Sequence, residues 1–162
     1  RASAREPLTA SPYLYYYGGS PTPDDVVQGP GPALYMHYDA ADNFIHLLDG
    51  VKDFWLYDPF QAAAVLYGSN PEHGNASPVN IDDPNNTARD FPLFKYASGR
   101  RCKLSAGEAL YLPMYWFHRV RSGNGRTVSL AYFNKGEPEK KRFFQKILCG
   151  YSIKPAAFEC GR

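Results

Sequence analysis

The chain has 162 residues, of which 44% are hydrophobic, 15% aromatic and 21% charged. That suits one globular domain and excludes a disordered chain, which needs low hydrophobicity and high net charge. Eighteen basic residues against sixteen acidic ones give a net charge of +2, so general binding to a phosphate backbone is not expected. No apolar run approaches the ~20 residues of a membrane helix, and no membrane span is expected. Fourteen Gly and fourteen Pro suit a loop-rich β protein better than a helical bundle.

In chain order, residues 1–11 are small and polar. Tyr13 to Tyr17 is a strand signal stopped by Gly18-Gly19, and residues 20–32 carry four Pro and two Gly and read as a loop. The pattern then predicts strands over Ala33 to Asp39, Asn43 to Leu48 and Val51 to Tyr57, with Asp49-Gly50 as a tight hairpin turn between the last two. Residues 61–67 could form one or two helical turns, and Val79-Asn80-Ile81 is a short possible strand in a polar, turn-rich stretch. Arg101 to Leu104 and Ala109 to Leu112 read as strands around a turn at Ser105 to Glu108. Phe117 to Arg121 and Thr127 to Phe133 read as a second hairpin. A helix is predicted over residues 137–149, where Phe143, Phe144, Ile147 and Leu148 recur at a 3–4 spacing. Short strands punctuated by Gly and Pro argue for an all-β sandwich or barrel. The organisation expected is a lead-in at 1–32, a core at 33–134 and a C-terminal helix and tail at 135–162.

Cys102, Cys149 and Cys160 are odd in number and widely spaced, which does not suit a disulfide framework and favours an intracellular, reducing setting. In a strand, residues i and i+2 share a face, so His37 and Asp39 present an imidazole and a carboxylate side by side. His118 is the candidate third ligand. Two His and one carboxylate leave positions open on a metal and suit non-haem Fe(II). A lone His-x-Asp is also often a simple hydrogen-bonded pair. Lys52 lies in an apolar strand, where an unpaired ammonium is costly, so either an anionic ligand meets it or its stem reaches solvent at the strand edge. His46 falls on the face opposite Asn43 and is not expected to ligate.

Three stretches resemble the JmjC-type Fe(II)/2-oxoglutarate oxygenases of the cupin superfamily, in the branch of the asparaginyl hydroxylase that inhibits hypoxia-inducible factor and its small relatives. They are HYDAADNFIHLLDGVKDFWLYDP, then LYG with VNIDDPNNTARDFPLFKYA, then LSAGEALYLPMYWFHRVRSGNGRTVSLAYFN, together spanning about residues 35–134. The resemblance implies a double-stranded β-helix, the jelly-roll of cupins. It implies that His37, Asp39 and His118 ligate Fe(II) and that Lys52 pairs with the distal carboxylate of 2-oxoglutarate. Asn43, Ser129 and Tyr35 are expected to line the cosubstrate site. Leu34 departs from the family, which carries Thr or Ser there. Only 36 residues precede His37, fewer than the family's N-terminal region, which often supplies a cosubstrate-binding Tyr.

The activity implied is a 2-oxoglutarate-dependent oxygenase hydroxylating a side chain of a protein or peptide substrate. Two alternatives stand beside it: an impaired module serving as a structural or binding subunit of a larger assembly, and a lysine demethylase.

Overall fold

The computed structural model describes residues 11–17, 36–62, 75–123, 125–135 and 138–139, and within the first stretch the side chains of residues 13–15. Among the described residues, seven strands form two antiparallel sheets. They are β1 (Ser11–Tyr17), β2 (Asp42–Asp49), β3 (Val51–Tyr57), β4 (Arg100–Ser105), β5 (Ala109–Leu112), β6 (Phe117–Ser122) and β7 (Thr127–Asn134). One sheet has the order β1-β7-β2-β5 and the other β4-β3-β6. His37 extends the smaller sheet by an isolated bridge to His118 on β6. From β2 onward every step between successive strands crosses from one sheet to the other, except β3 to β4. The expected all-β architecture is therefore present as two facing sheets.

Period-2 patterning decides which side chains meet between the sheets. Along β2, Asn43, Ile45 and Leu47 are buried while Phe44 and Leu48 are exposed. Ile45, Leu47, Phe54, Leu104, Leu112 and Ala131 form the core between the sheets. A second cluster, Met36, Tyr38, Tyr57, Ala62, Met114, Tyr115 and Phe117, covers the outer side of the smaller sheet. Met36 and Tyr38 enter that cluster, so by strand alternation His37 and Asp39 face the other way, toward the space between the sheets.

Both predicted hairpins are corrected. Asp49-Gly50 does turn the chain, and Gly50 adopts φ 82°, but β2 and β3 belong to different sheets. A turn signal specifies backbone dihedrals, not the strand that will pair afterwards. The backbone at this corner bonds instead to the 105–108 turn: Gly107 N–H donates to the Leu47 carbonyl (2.8 Å) and Ala106 N–H to the Gly50 carbonyl (3.1 Å). The 122–126 connection likewise crosses sheets, and Gly123 N–H donates to the Val51 carbonyl at 2.8 Å. Val79 to Ile81 forms no strand; side-chain bonds from Ser77 to Val79 N–H and from Asn80 to Asp82 N–H curl it into turns. The 33–39 strand contracts, within residues 36–39, to the single bridged residue His37. A short turn of 3-10 helix at Pro59–Gln61, capped by Phe60 N–H donating to the Asp58 carboxylate, ends where the helical turns of 61–67 are predicted to begin, and residues 63–67 lie outside the described residues. Of the C-terminal helix, only Pro138 and Glu139 are described, both helical.

Candidate metal and cosubstrate site

His37 and His118 are held side by side by their own backbones, with ring planes tilted by 51°. His37 N–H donates to the His118 carbonyl at 3.0 Å and His118 N–H donates to the His37 carbonyl at 2.7 Å. Their ring centroids are 4.3 Å apart. Asp39 approaches from the same stretch as His37, with Oδ2 3.6 Å from His118 Nε2. One ligating atom from each of the three residues lies within 4.8 Å of the other two.

The turn before β6 sets the position of His118. Tyr115 takes a left-handed backbone (φ 65°), uncommon for a residue with a Cβ, and its N–H donates to the Asp39 carbonyl at 2.8 Å. Asp42 Oδ1 accepts from Met114 N–H at 3.0 Å and from the Tyr111 hydroxyl at 2.9 Å. The segments that carry His37, Asp39 and His118 are thus tied to each other by backbone as well as by side chains.

His118 is buried, and its Nδ1 lies 3.0 Å from the Trp116 carbonyl. A carbonyl oxygen can only accept, so Nδ1 carries the hydrogen and Nε2 keeps its lone pair on the side of Asp39. This is the outer-shell arrangement that orients a metal-ligating imidazole. Burial, helped by the neighbouring His37, pushes the His118 pKa down to about 3, so the ring is a neutral ligand at ordinary pH. Burial holds the Asp39 carboxyl above the ordinary carboxylate value, with the neighbouring His37 opposing the shift.

The other predicted residues occupy the same interior. Lys52 on β3 points between the sheets, and its Nζ donates to Ser129 Oγ on β7 at 2.7 Å. Ser129 is 1% exposed. Burial lowers the Lys52 pKa, and no carboxylate among the described residues pairs with it. Since Ser129 accepts from the ammonium, its own O–H remains free to donate. Asn43 is buried on β2, and its Oδ1 has no hydrogen-bond partner. The spare Lys52 N–H and the Ser129 O–H are donors that fit a small anion between the sheets, and the His37, Asp39 and His118 donor set beside them fits a divalent metal. Tyr35 and Leu34 lie outside the described residues. His46 sits on the outward face of β2, as its parity predicts, and His73 lies outside the described residues.

Tyr15 is a site residue that sequence reading missed. β1 pairs with β7 so that Tyr15 stands opposite Ser129, and its ring centroid is 5.7 Å from Lys52 Nζ. Its hydroxyl pKa is raised, first by burial and then by Asp39. The strand predicted at Tyr13 to Tyr17 is present, and Tyr13, Leu14 and Tyr15 on it are all exposed by about half or more. Alternation within β1 was the available signal: Tyr13, Tyr15 and Tyr17 share one face.

The chain is 40% identical over 97 residues to tRNA wybutosine-synthesizing protein 5 of Mus musculus, covering 59% of this chain and 29% of that protein. It is 29% identical over 136 residues to lysine-specific demethylase JMJ30 of Arabidopsis thaliana, covering 83% of this chain and 31% of that protein. The chain thus spans less than a third of the length of these curated relatives. Among solved structures, hydroxypropylphosphonic acid epoxidase from S. wedmorenis aligns over 77% of this chain and 43% of its own, at 12% identity and a TM-score of 0.38. The family model described as "Cupin-like domain" matches residues 29–140, more than half of the sequence. The chain belongs to the cupin-like, JmjC-type domain family.

Proposed function

We propose that this protein is an Fe(II)- and 2-oxoglutarate-dependent oxygenase that hydroxylates a side chain of a protein or peptide. The observation that carries the reading is the Lys52 ammonium, held between the sheets by Ser129 and a π face with no carboxylate partner among the described residues, in the interior that also receives His37, Asp39 and His118. His37, Asp39 and His118 would hold the iron, leaving coordination positions open for a bidentate oxo acid and dioxygen. Bound iron would supply the oxidising chemistry: dioxygen is the oxidant, one of its atoms entering the hydroxylated C–H bond and the other the succinate formed as 2-oxoglutarate loses carbon dioxide.

The chain's own groups bind and orient. Lys52 and the Ser129 hydroxyl offer charge-assisted donors to the distal carboxylate, and the Tyr15 ring covers that end. Asn43 offers its amide to the same ligand. The Trp116 carbonyl fixes the His118 tautomer, and the apolar residues between the sheets exclude water from the reacting centre.

Succinate release from 2-oxoglutarate, measured with a peptide library and iron, tests the reading. Release that depends on both a peptide and Lys52 supports it; no release with any substrate favours the structural-module alternative. The likeness to tRNA wybutosine-synthesizing protein 5 favours a second substrate class, a base in tRNA, for the same site. A transfer-RNA arm of the assay separates the two, and N-methylated lysine peptides in the library test demethylation.

A further inference from the structure

The outer face of the smaller sheet carries a cluster of cations that the metal and cosubstrate site does not use. Arg119 and Arg121 are two residues apart on β6 and share a face opposite to that of His118. Their cross-strand partners on β3 are Trp55 and Asp53. Arg119 is 1% exposed, a rare depth for a guanidinium. Its Nη2 donates to Asp82, and Arg121 Nη2 donates to the other oxygen of the same carboxylate at 2.6 Å. Asp53 cannot neutralise the pair, because Arg101 on β4 takes it at 3.1 Å. Two guanidinium groups therefore share one carboxylate, with a net charge of +1.

Three of their nitrogens, Nε and Nη1 of Arg119 and Nε of Arg121, are buried without an acceptor. Buried donors and buried charge are normally satisfied, because leaving them unmet is costly. Both Asp82 carboxylate oxygens are already taken, Oδ2 by Arg119 Nη2 and Oδ1 by Arg121 Nη2, and these three nitrogens have no share of them. Arg121 and Asp82 are each about one-third exposed (33% and 35% of the side chain), so the cluster meets solvent there while Arg119 forms its floor.

We propose that Arg119 and Arg121 form the seat of a phosphate-class oxyanion on the outer face of the smaller sheet. One carboxylate already occupies the pair. The remaining donors come from two forks and suit a tetrahedral ion that can accept from both. Trp55, flanked by Arg101 and Arg121 at 5.2 and 5.3 Å from its ring centroid, forms the adjoining wall.

The test is calorimetric titration of the whole chain with inorganic phosphate at fixed ionic strength, with acetate as a parallel arm. Saturable phosphate binding at least about tenfold tighter than acetate is expected. Arg121→Gln is expected to weaken it by about ten- to a hundredfold, the worth of a charge-assisted hydrogen bond. Asp82→Asn removes the competing charge and is expected to tighten it, an effect opposite in sign to a purely structural role. Acetate binding as tightly as phosphate would overturn the phosphate assignment. No saturable phosphate binding by the unmodified chain, or equal affinity in Arg121→Gln, overturns the seat itself. Arg121 and Asp82 lie outside the metal site, so Fe(II) affinity in both variants reports that the fold is intact.

Discussion

An ammonium held between two sheets costs free energy unless an anion meets it. Lys52 has one hydroxyl partner, and its burial depresses its pKa. In the ligand-free protein Lys52→Met is therefore expected to stabilise the fold by about 1–2 kcal/mol, a rise of a few degrees in Tm, while 2-oxoglutarate binding is lost. The sign follows from linkage: a lysine whose folded pKa lies below its unfolded value costs stability below that folded value. The cost fades as pH rises toward the unfolded value of 10.5. The advantage of the Met variant should shrink over that range, as thermal melts at stepped pH would record. A Met variant that melts below the unmodified chain at neutral pH would show that Lys52 serves the fold. His118 gives the opposite limb. Its folded pKa of about 3 lies below the ordinary 6.5, so the unfolded chain binds the extra proton first and stability is lost as pH falls from about 6.5 toward 3. Metal-free His118→Gln should show a flatter acid limb in the same melts.

At the scale of elements, the corners between sheets decide whether the site assembles. Gly50 turns the chain from β2 to β3 at φ 82°, and a Cβ there would meet the Arg126 carbonyl oxygen at 2.3 Å and Thr127 Cγ2 at 2.7 Å. Gly50→Ala combines backbone strain with a clash against main chain. It should cost about 2–3 kcal/mol, a fall of about 5–10 °C in Tm by calorimetry. An unchanged Tm would mean that the corner relaxes freely. The strands themselves were legible from alternation: β2, β3, β5 and β7 lie within a residue of where Val, Ile, Leu and aromatic runs put them. Their partners were not. Asp49-Gly50 and the Gly-rich 122–125 stretch carry hairpin chemistry, yet both lead into the opposite sheet, because pairing is chosen by which faces can be buried together.

Across the whole molecule, alternation and sheet order together make the site. Lys52, His118, Asn43 and Ser129 are widely separated in sequence, but each is an inward position on its strand, and closing the two sheets brings them into one interior. The cluster of His37, Asp39 and His118 was readable because two of its members are neighbours in sequence and the third carries a family-like setting. Tyr15 was not, since only the register of β1 against β7 brings it opposite Ser129. Nor was the Arg119–Asp82–Arg121 cluster, in which a turn some forty residues upstream supplies the carboxylate.

The central claim is that three side chains and one interior hold a single catalytic iron. Anaerobic titration with Fe(II), comparing the unmodified chain with Asp39→Ala, tests it most directly. The Asp39 carbonyl that accepts from Tyr115 is main chain, so the substitution spares the bond that holds the turn. The account predicts one site per chain and a loss of affinity of at least about a hundredfold in the variant, beyond the 10–100-fold typical of residues that merely support a ligand. Equal affinity in the two proteins, at unchanged Tm, would contradict it.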